Sequence, residues 1–152
     1  MVALNLLGMH IAKLYKQRKT FWAQMAKMAR YVKDEIRYTV DTPEKIIARF
    51  IQETPSLLLE ESSVTLPQKW SENLALKARE TLFLPKEDCL LLCEFGNGLG
   101  VTDLEGQLNH CALYETRFSE KNNIAHEACL KKGNLYRKFC ALASVAVVIM
   151  LL

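Results

Sequence analysis

The last fourteen residues, FCALASVAVVIMLL from Phe139 to Leu152, contain no charge and nothing more polar than Ser144. No other stretch restricts the fold as much. A helix apolar on every face has no solvent side, so it belongs either in a protein core or in a bilayer. A spanning helix takes roughly 17 to 25 apolar residues, and this run is shorter than that. What favours the bilayer is the charge beside it. Lys131, Lys132, Arg137 and Lys138 precede the run, and Lys13, Lys16, Arg18 and Lys19 follow a weaker apolar stretch at the other end, interrupted by Asn5 and His10. If both runs enter one bilayer from the same side, the positive-inside rule puts everything between them in the cytoplasm. Each well-placed cation of such a collar favours anionic lipid by roughly 1 kcal/mol. The expected layout is a membrane-associated segment over residues 1–14, a cytosolic helical domain over 15–138 and a C-terminal transmembrane segment over 139–152.

Charge elsewhere is uneven. Val40–His110 holds 12 acidic and 6 basic residues, a balance of −6, against 5 acidic and 14 basic in the two flanks, a balance of +9. Five cysteines, Cys89, Cys93, Cys111, Cys129 and Cys140, show no CxxC and no paired spacing, which reads as reduced thiols serving as small apolar residues.

Helical periodicity runs through the chain. Positions 14, 18, 21, 25, 28, 32 and 35 step by four and three, carrying Leu, Arg, Phe, Met, Met, Val and Glu, so the first helix extends to about Thr39 with Arg18 and Glu35 as charges in an apolar seam. Thr42-Pro43-Glu44 opens a second helix with Ile46, Ile47, Phe50 and Ile51 on its apolar face. Thr54-Pro55 starts a short helix through Leu59, and Glu61-Ser62-Ser63 is a loop. Helices from about Pro67, with Trp70, Leu74, Ala78 and Leu82, and from Pro85, with Cys89, Leu92, Cys93 and Phe95, come next. Thr102-Asp103-Leu104-Glu105 fits a capping box, after which one helix could run about 75 Å into the tail. No segment has strand period. The expected fold is all-α, an antiparallel bundle whose long first and last helices form a stalk leading to the membrane, with Glu35 facing Arg117 across it.

Catalytic constellations are not evident. Phe95-Gly96-Asn97-Gly98-Leu99-Gly100 has no GK[ST] after it and no strand before it, so it reads as a helix-ending turn with left-handed glycines. His126 and Cys129 could share an ion, but His110, Cys111 and Cys93 do not converge with them by spacing. The basic residues lack interleaved aromatics beyond Tyr15, Phe21, Trp22 and Tyr31, which the seam claims, so nucleic acid is not an expected partner. No enzyme activity, cofactor or metal is expected. The competing class is a soluble ligand- or metal-binding bundle whose tail is a core helix.

Arg18 after an apolar start, Glu35-Ile36 followed by Thr42-Pro43, Trp70, Leu90 to Leu92, Phe95-Gly96, Leu99-Gly100, Asp103, Gln107, Ala125, Lys131-Lys132 and Tyr136 ahead of an apolar end together resemble the stage III sporulation protein AB family. The resemblance spans the chain and is strongest from Leu90 onward. It implies a scaffold in the mother-cell membrane of endospore-forming bacteria, within a channel complex linking mother cell and forespore. The soluble domain of that family is similar to the cytoplasmic domain of the inner-membrane platform protein of type II secretion and type IV pilus systems. The implied partners are a secretion-type ATPase, other channel subunits, lipid and further copies of the chain. The family begins with a fuller transmembrane helix, which this sequence enters near Gly8. It also carries glycines after the position of Tyr136, where Phe139-Cys140-Ala141 and Ala143-Ser144 stand here.

Two partner surfaces are expected. One is acidic, with Glu60, Glu61, Glu72, Glu87 and Asp88 meeting a basic face of the ATPase. The other is the glycine turn, with Phe95 as an exposed anchor beside Asn97 and Asp103. Arg18, Glu35, Gly96, Gly100, Gln107 and Arg117 are expected to be structural.

Overall fold

The computed structural model describes residues 2–54, 56, 58 and 66–151. Among the described residues six α-helices follow one another: α1 Val2–Tyr38, α2 Pro43–Glu53, α3 Pro67–Leu82, α4 Lys86–Gly98, α5 Leu104–Ala128 and α6 Asn134–Leu151, with a five-residue π turn, Cys129–Gly133, between the last two. Among the described residues there is no strand, and the fold is all-α. Thr54, Ser56 and Leu58 are not helical. The rest of the short helix expected from Thr54 to Leu59, and the loop at Glu61–Ser63, lie outside the described residues. The chain divides into two compact units, Met25–Phe118 and the paired ends Met1–Gln24 with Ser119–Leu152.

In the first unit the stripes read from periodicity are the ones that are buried. Met25, Met28, Ala29 and Val32 of α1, Ile46, Ile47, Phe50 and Ile51 of α2, and Trp70, Leu74, Ala78 and Leu82 of α3 form the core with Leu92 and Phe95 of α4 and Cys111, Tyr114 and Phe118 of α5. Helices α3 and α4 form an antiparallel hairpin. Its bend is Phe83, a non-glycine residue in the left-handed region at φ 52°, followed by Pro85, whose carbonyl accepts the Asp88 and Cys89 amides. The hairpin closes tightly because Gly96 lies on α3. A Cβ there would stand 2.6 Å from the Pro67 carbonyl oxygen and overlap the Ser71 side chain.

The glycine turn departs from the expected form. Gly96 and Gly98 are still inside α4, and only Gly100 is left-handed, at φ 79°. Gln107 holds the turn. Its Nε2 donates to the Gly98 carbonyl and to Thr102 Oγ1, both at 3.1 Å, and its Oε1 accepts the Gly100 amide at 3.0 Å. The capping box shifts by one residue. Asp103, not Thr102, caps α5: its Oδ1 accepts the Gly106 amide at 3.0 Å and its backbone carbonyl accepts the Gln107 amide at 2.9 Å. A carboxylate suits the positive end of the helix dipole better than a hydroxyl does.

The expected Glu35–Arg117 pair does not form. Helix α2 folds back beside the end of α1 and brings Arg49 to both Glu35 (2.8 Å) and Asp41 (2.5 Å), while Arg117 lies 3.7 Å from Glu94 and stacks over Tyr114. Ion pairing between α1 and α5 does occur, with the signs exchanged: Arg30 (2.7 Å) and Lys33 (2.5 Å) both bind Glu115. Burial opposes the charge of Glu115. The hydrogen bonds from Lys33 and Arg30 outweigh that and hold its carboxyl below the usual range.

In the second unit, α1 and the C-terminal elements pair through small residues. A Cβ on Gly8 would sit 3.0 Å from Cys140 Cβ and Sγ, and one on Gly133 would sit 3.9 Å from Ala12 Cα. The glycine that the tail lacks is thus supplied by its partner. The long last helix expected from the sequence runs on from Leu104 to Met150, with the π turn inside it, a one-residue insertion that turns a helix face. Here it leaves Gly133 buried while Lys131 and Lys132 are exposed. Ser144 is buried and satisfies its hydroxyl on the Cys140 carbonyl at 2.7 Å. Arg18 stacks over Tyr15, 5.8 Å from the ring centroid.

Candidate docking surface and membrane segment

Of the acidic residues expected to meet a partner, Glu72 on α3 and Glu87 on α4 are exposed, and Glu60 and Glu61 lie outside the described residues. Asp88 is not on the surface: it is 7 % exposed in the first turn of α4, where the helix dipole favours a carboxylate. Phe95 is also withdrawn from the expected contact. It is fully buried because α5 covers α4 at this level, and its ring packs on His110 (5.9 Å), Tyr114 (5.6 Å) and Phe118 (5.3 Å). Asn97 and Asp103 remain exposed, but the Asp103 carboxylate is engaged as the cap.

His110, weighed from the sequence only as a metal ligand, and Tyr114 and Glu94, which the sequence reading did not single out, tie α4 to α5. His110 Nε2 donates to the Phe95 carbonyl at 2.9 Å, and the Tyr114 hydroxyl donates to Glu94 Oε2 at 3.2 Å. The four-residue step from His110 through Tyr114 to Phe118 was the available signal. Glycine-98 leaves room for this ring: a Cβ there would overlap the His110 imidazole.

Between α3 and α4 runs an open groove of about 320 Å³ with Leu76, Leu90, Cys89 and Cys93 along it and Glu72 and Arg79 at its edge. Burial pushes both thiols upward from their ordinary range, so they are protonated at neutral pH and act as apolar lining. Cys111, in the core, is pushed up to about 12 by burial. Among the described residues no group of three or more His, Cys, Asp or Glu is placed to hold a metal ion.

One helical stretch, Leu104–Met150, is long and apolar enough to cross a membrane, and only 18 % of its most apolar window is buried. Phe139, Leu142 and Ile149 are each about 70 % exposed, which is not how a core helix presents itself. The flanking Lys13, Lys16, Lys131, Lys132 and Lys138 are exposed and Lys19 is half-buried; the side chain of Arg137 lies outside the described part.

The profile of stage III sporulation protein AB matches residues 1–152, the whole chain. The chain belongs to that family. Stage III sporulation protein AB of Bacillus subtilis (strain 168) is 26 % identical over 161 aligned positions, covering 99 % of this chain and 94 % of the relative. No solved structure matches. Membership assigns the chain to sporulation. The one candidate spanning helix among the described residues is compatible with association with a membrane.

Proposed function

We propose that this chain is a non-enzymatic scaffold of a sporulation channel complex. In this reading it is anchored in the mother-cell membrane by residues 139–152, with its helical domain, 15–138, in the cytoplasm. The observation that carries the reading is the exposed apolar face of α6 directly beside exposed lysines, since an all-round apolar helix left open to water would be a liability in a soluble protein. Family membership supplies the sporulation context, and the positive-inside rule supplies the orientation.

The partner of the domain is a secretion-type ATPase, alongside other membrane subunits of the channel. Met25–Phe118 holds 15 acidic and 11 basic residues, a net −4, so a basic partner surface would be steered to it. With Asp88 and Phe95 buried, the contact among the described residues narrows to Glu72 and Glu87, with Asn97 at the end of α4. The double reversal Glu72→Lys/Glu87→Lys is expected to reduce capture of the ATPase by the full-length protein roughly tenfold at low salt, and added salt is expected to weaken the wild-type interaction. Capture unaffected by both would remove this contact.

A further inference from the structure

The positive charge of this chain is concentrated in its paired ends. Met1–Gln24 and Ser119–Leu152 carry nine Lys and Arg against two acids, Glu120 and Glu127, a net +7. The pairing register then decides how these charges stack. Gly133 meets Ala12, and Gly8, one helical turn farther along α1, meets Cys140. Lys13 is therefore one residue from the Ala12–Gly133 contact, Lys132 and Lys131 are one and two residues from it, and Lys16 is one turn beyond. At about 1.5 Å of rise per residue, these four positions fall within roughly 6 Å along the helix axes. All four side chains are exposed. Lys131 has Glu127 at 3.6 Å, but both are about three-quarters open to water, and such a pair gives way readily to a better anion.

On the Gly8–Cys140 side of this level the exposed surface is mainly apolar, through Leu7 and Met9 on α1 and Leu135, Phe139 and Leu142 on α6, with Tyr136 at the border and Lys138 as the exposed cation among the described side chains there. Cations at one height, bordered on one side by an apolar sleeve and a tyrosine, match the phosphate plane of a bilayer leaflet. The π turn contributes directly: it carries two consecutive lysines outward while its Gly133 lets α1 approach.

We infer that Lys13, Lys16, Lys131 and Lys132 form a binding site for the phosphate head group of an anionic phospholipid, so that the chain selects lipid charge in addition to burying an apolar helix. This rests on the reading of α6 as membrane-embedded. The test uses full-length protein in non-ionic detergent micelles titrated with dioleoylphosphatidylglycerol or dioleoylphosphatidylcholine, with binding read from thermal stabilisation. The wild type is expected to bind phosphatidylglycerol in clear preference to phosphatidylcholine. At about fivefold per lysine, Lys131→Gln/Lys132→Gln is expected to weaken phosphatidylglycerol binding roughly 25-fold, and Lys131→Arg/Lys132→Arg is expected to retain it. Equal binding of the two lipids by the wild type, or undiminished phosphatidylglycerol binding by the glutamine variant, overturns the inference. Displacement of phosphatidylglycerol by inorganic phosphate at equal concentration also overturns it, by exposing a general anion site. Protein that resists alkaline carbonate extraction yet shows no lipid preference would sink this inference alone, whereas protein released by carbonate would sink the membrane reading beneath it.

Discussion

Phe118→Ala is expected to cost about 3–5 kcal/mol and to lower the melting temperature by on the order of 10 °C. The ring is fully buried, packs edge-on against Phe95 at 5.3 Å and lies 5.8 Å from Tyr114. Removing it deletes the transfer free energy of a phenyl group and leaves a cavity whose walls belong to two helices, so collapse is only partial. Urea unfolding followed by circular dichroism measures the loss directly. Phe118→Leu keeps most of the volume and should lose less than half as much; equal losses would mean that the site repacks and that the aromatic cluster contributes little.

Gly96→Ala is expected to destabilise by about 1–3 kcal/mol, although in an open helix the same change would gain up to about 1 kcal/mol. The sign is reversed by the fit of the α3–α4 hairpin. The added methyl meets the Pro67 carbonyl oxygen at 2.6 Å, and backbone cannot rotate away as a side chain can. Ser71→Gly combined with Gly96→Ala should recover part of the loss by clearing the Ser71 side chain, and only part, because Pro67 stays. The same variant separates two roles for the turn. A folded Gly96→Ala protein with an unchanged melting temperature and failed assembly would make the turn a partner contact. Loss of stability, the expected result, makes it the latch of the hairpin.

Helix number and buried faces were legible where a periodic apolar stripe carried them. Ile46, Ile47, Phe50 and Ile51 in α2 and Trp70, Leu74, Ala78 and Leu82 in α3 are buried together, because 3.6-residue periodicity is a property of one helix. What depends on how helices meet was not legible. Phe95 stands in a glycine-rich stretch that reads as an exposed turn, yet α5 lies over it and makes it core. Glu35 and Arg117 have complementary charges on the two long helices, but α2 brings Arg49 closer. The π turn coincides with the close approach of Gly133 to Ala12, a tertiary relation that a run of helix-compatible residues conceals. For the candidate surface, Glu72 and Glu87 were recognisable as exposed acids, whereas the burial of Asp88 three residues after Pro85 depends on packing around the hairpin.

Whether the apolar helix α6 lies in a bilayer decides the role of the whole chain. Membranes bearing the full-length protein, and a form lacking Phe139–Leu152, can be washed with alkaline carbonate, which strips proteins held by charge and leaves embedded ones behind. The full-length protein is expected in the pellet and the shortened form predominantly in the supernatant, since lysines alone do not survive that wash. Release of the full-length protein into the supernatant would contradict the account and return α6 to the status of an uncovered helix of a soluble bundle.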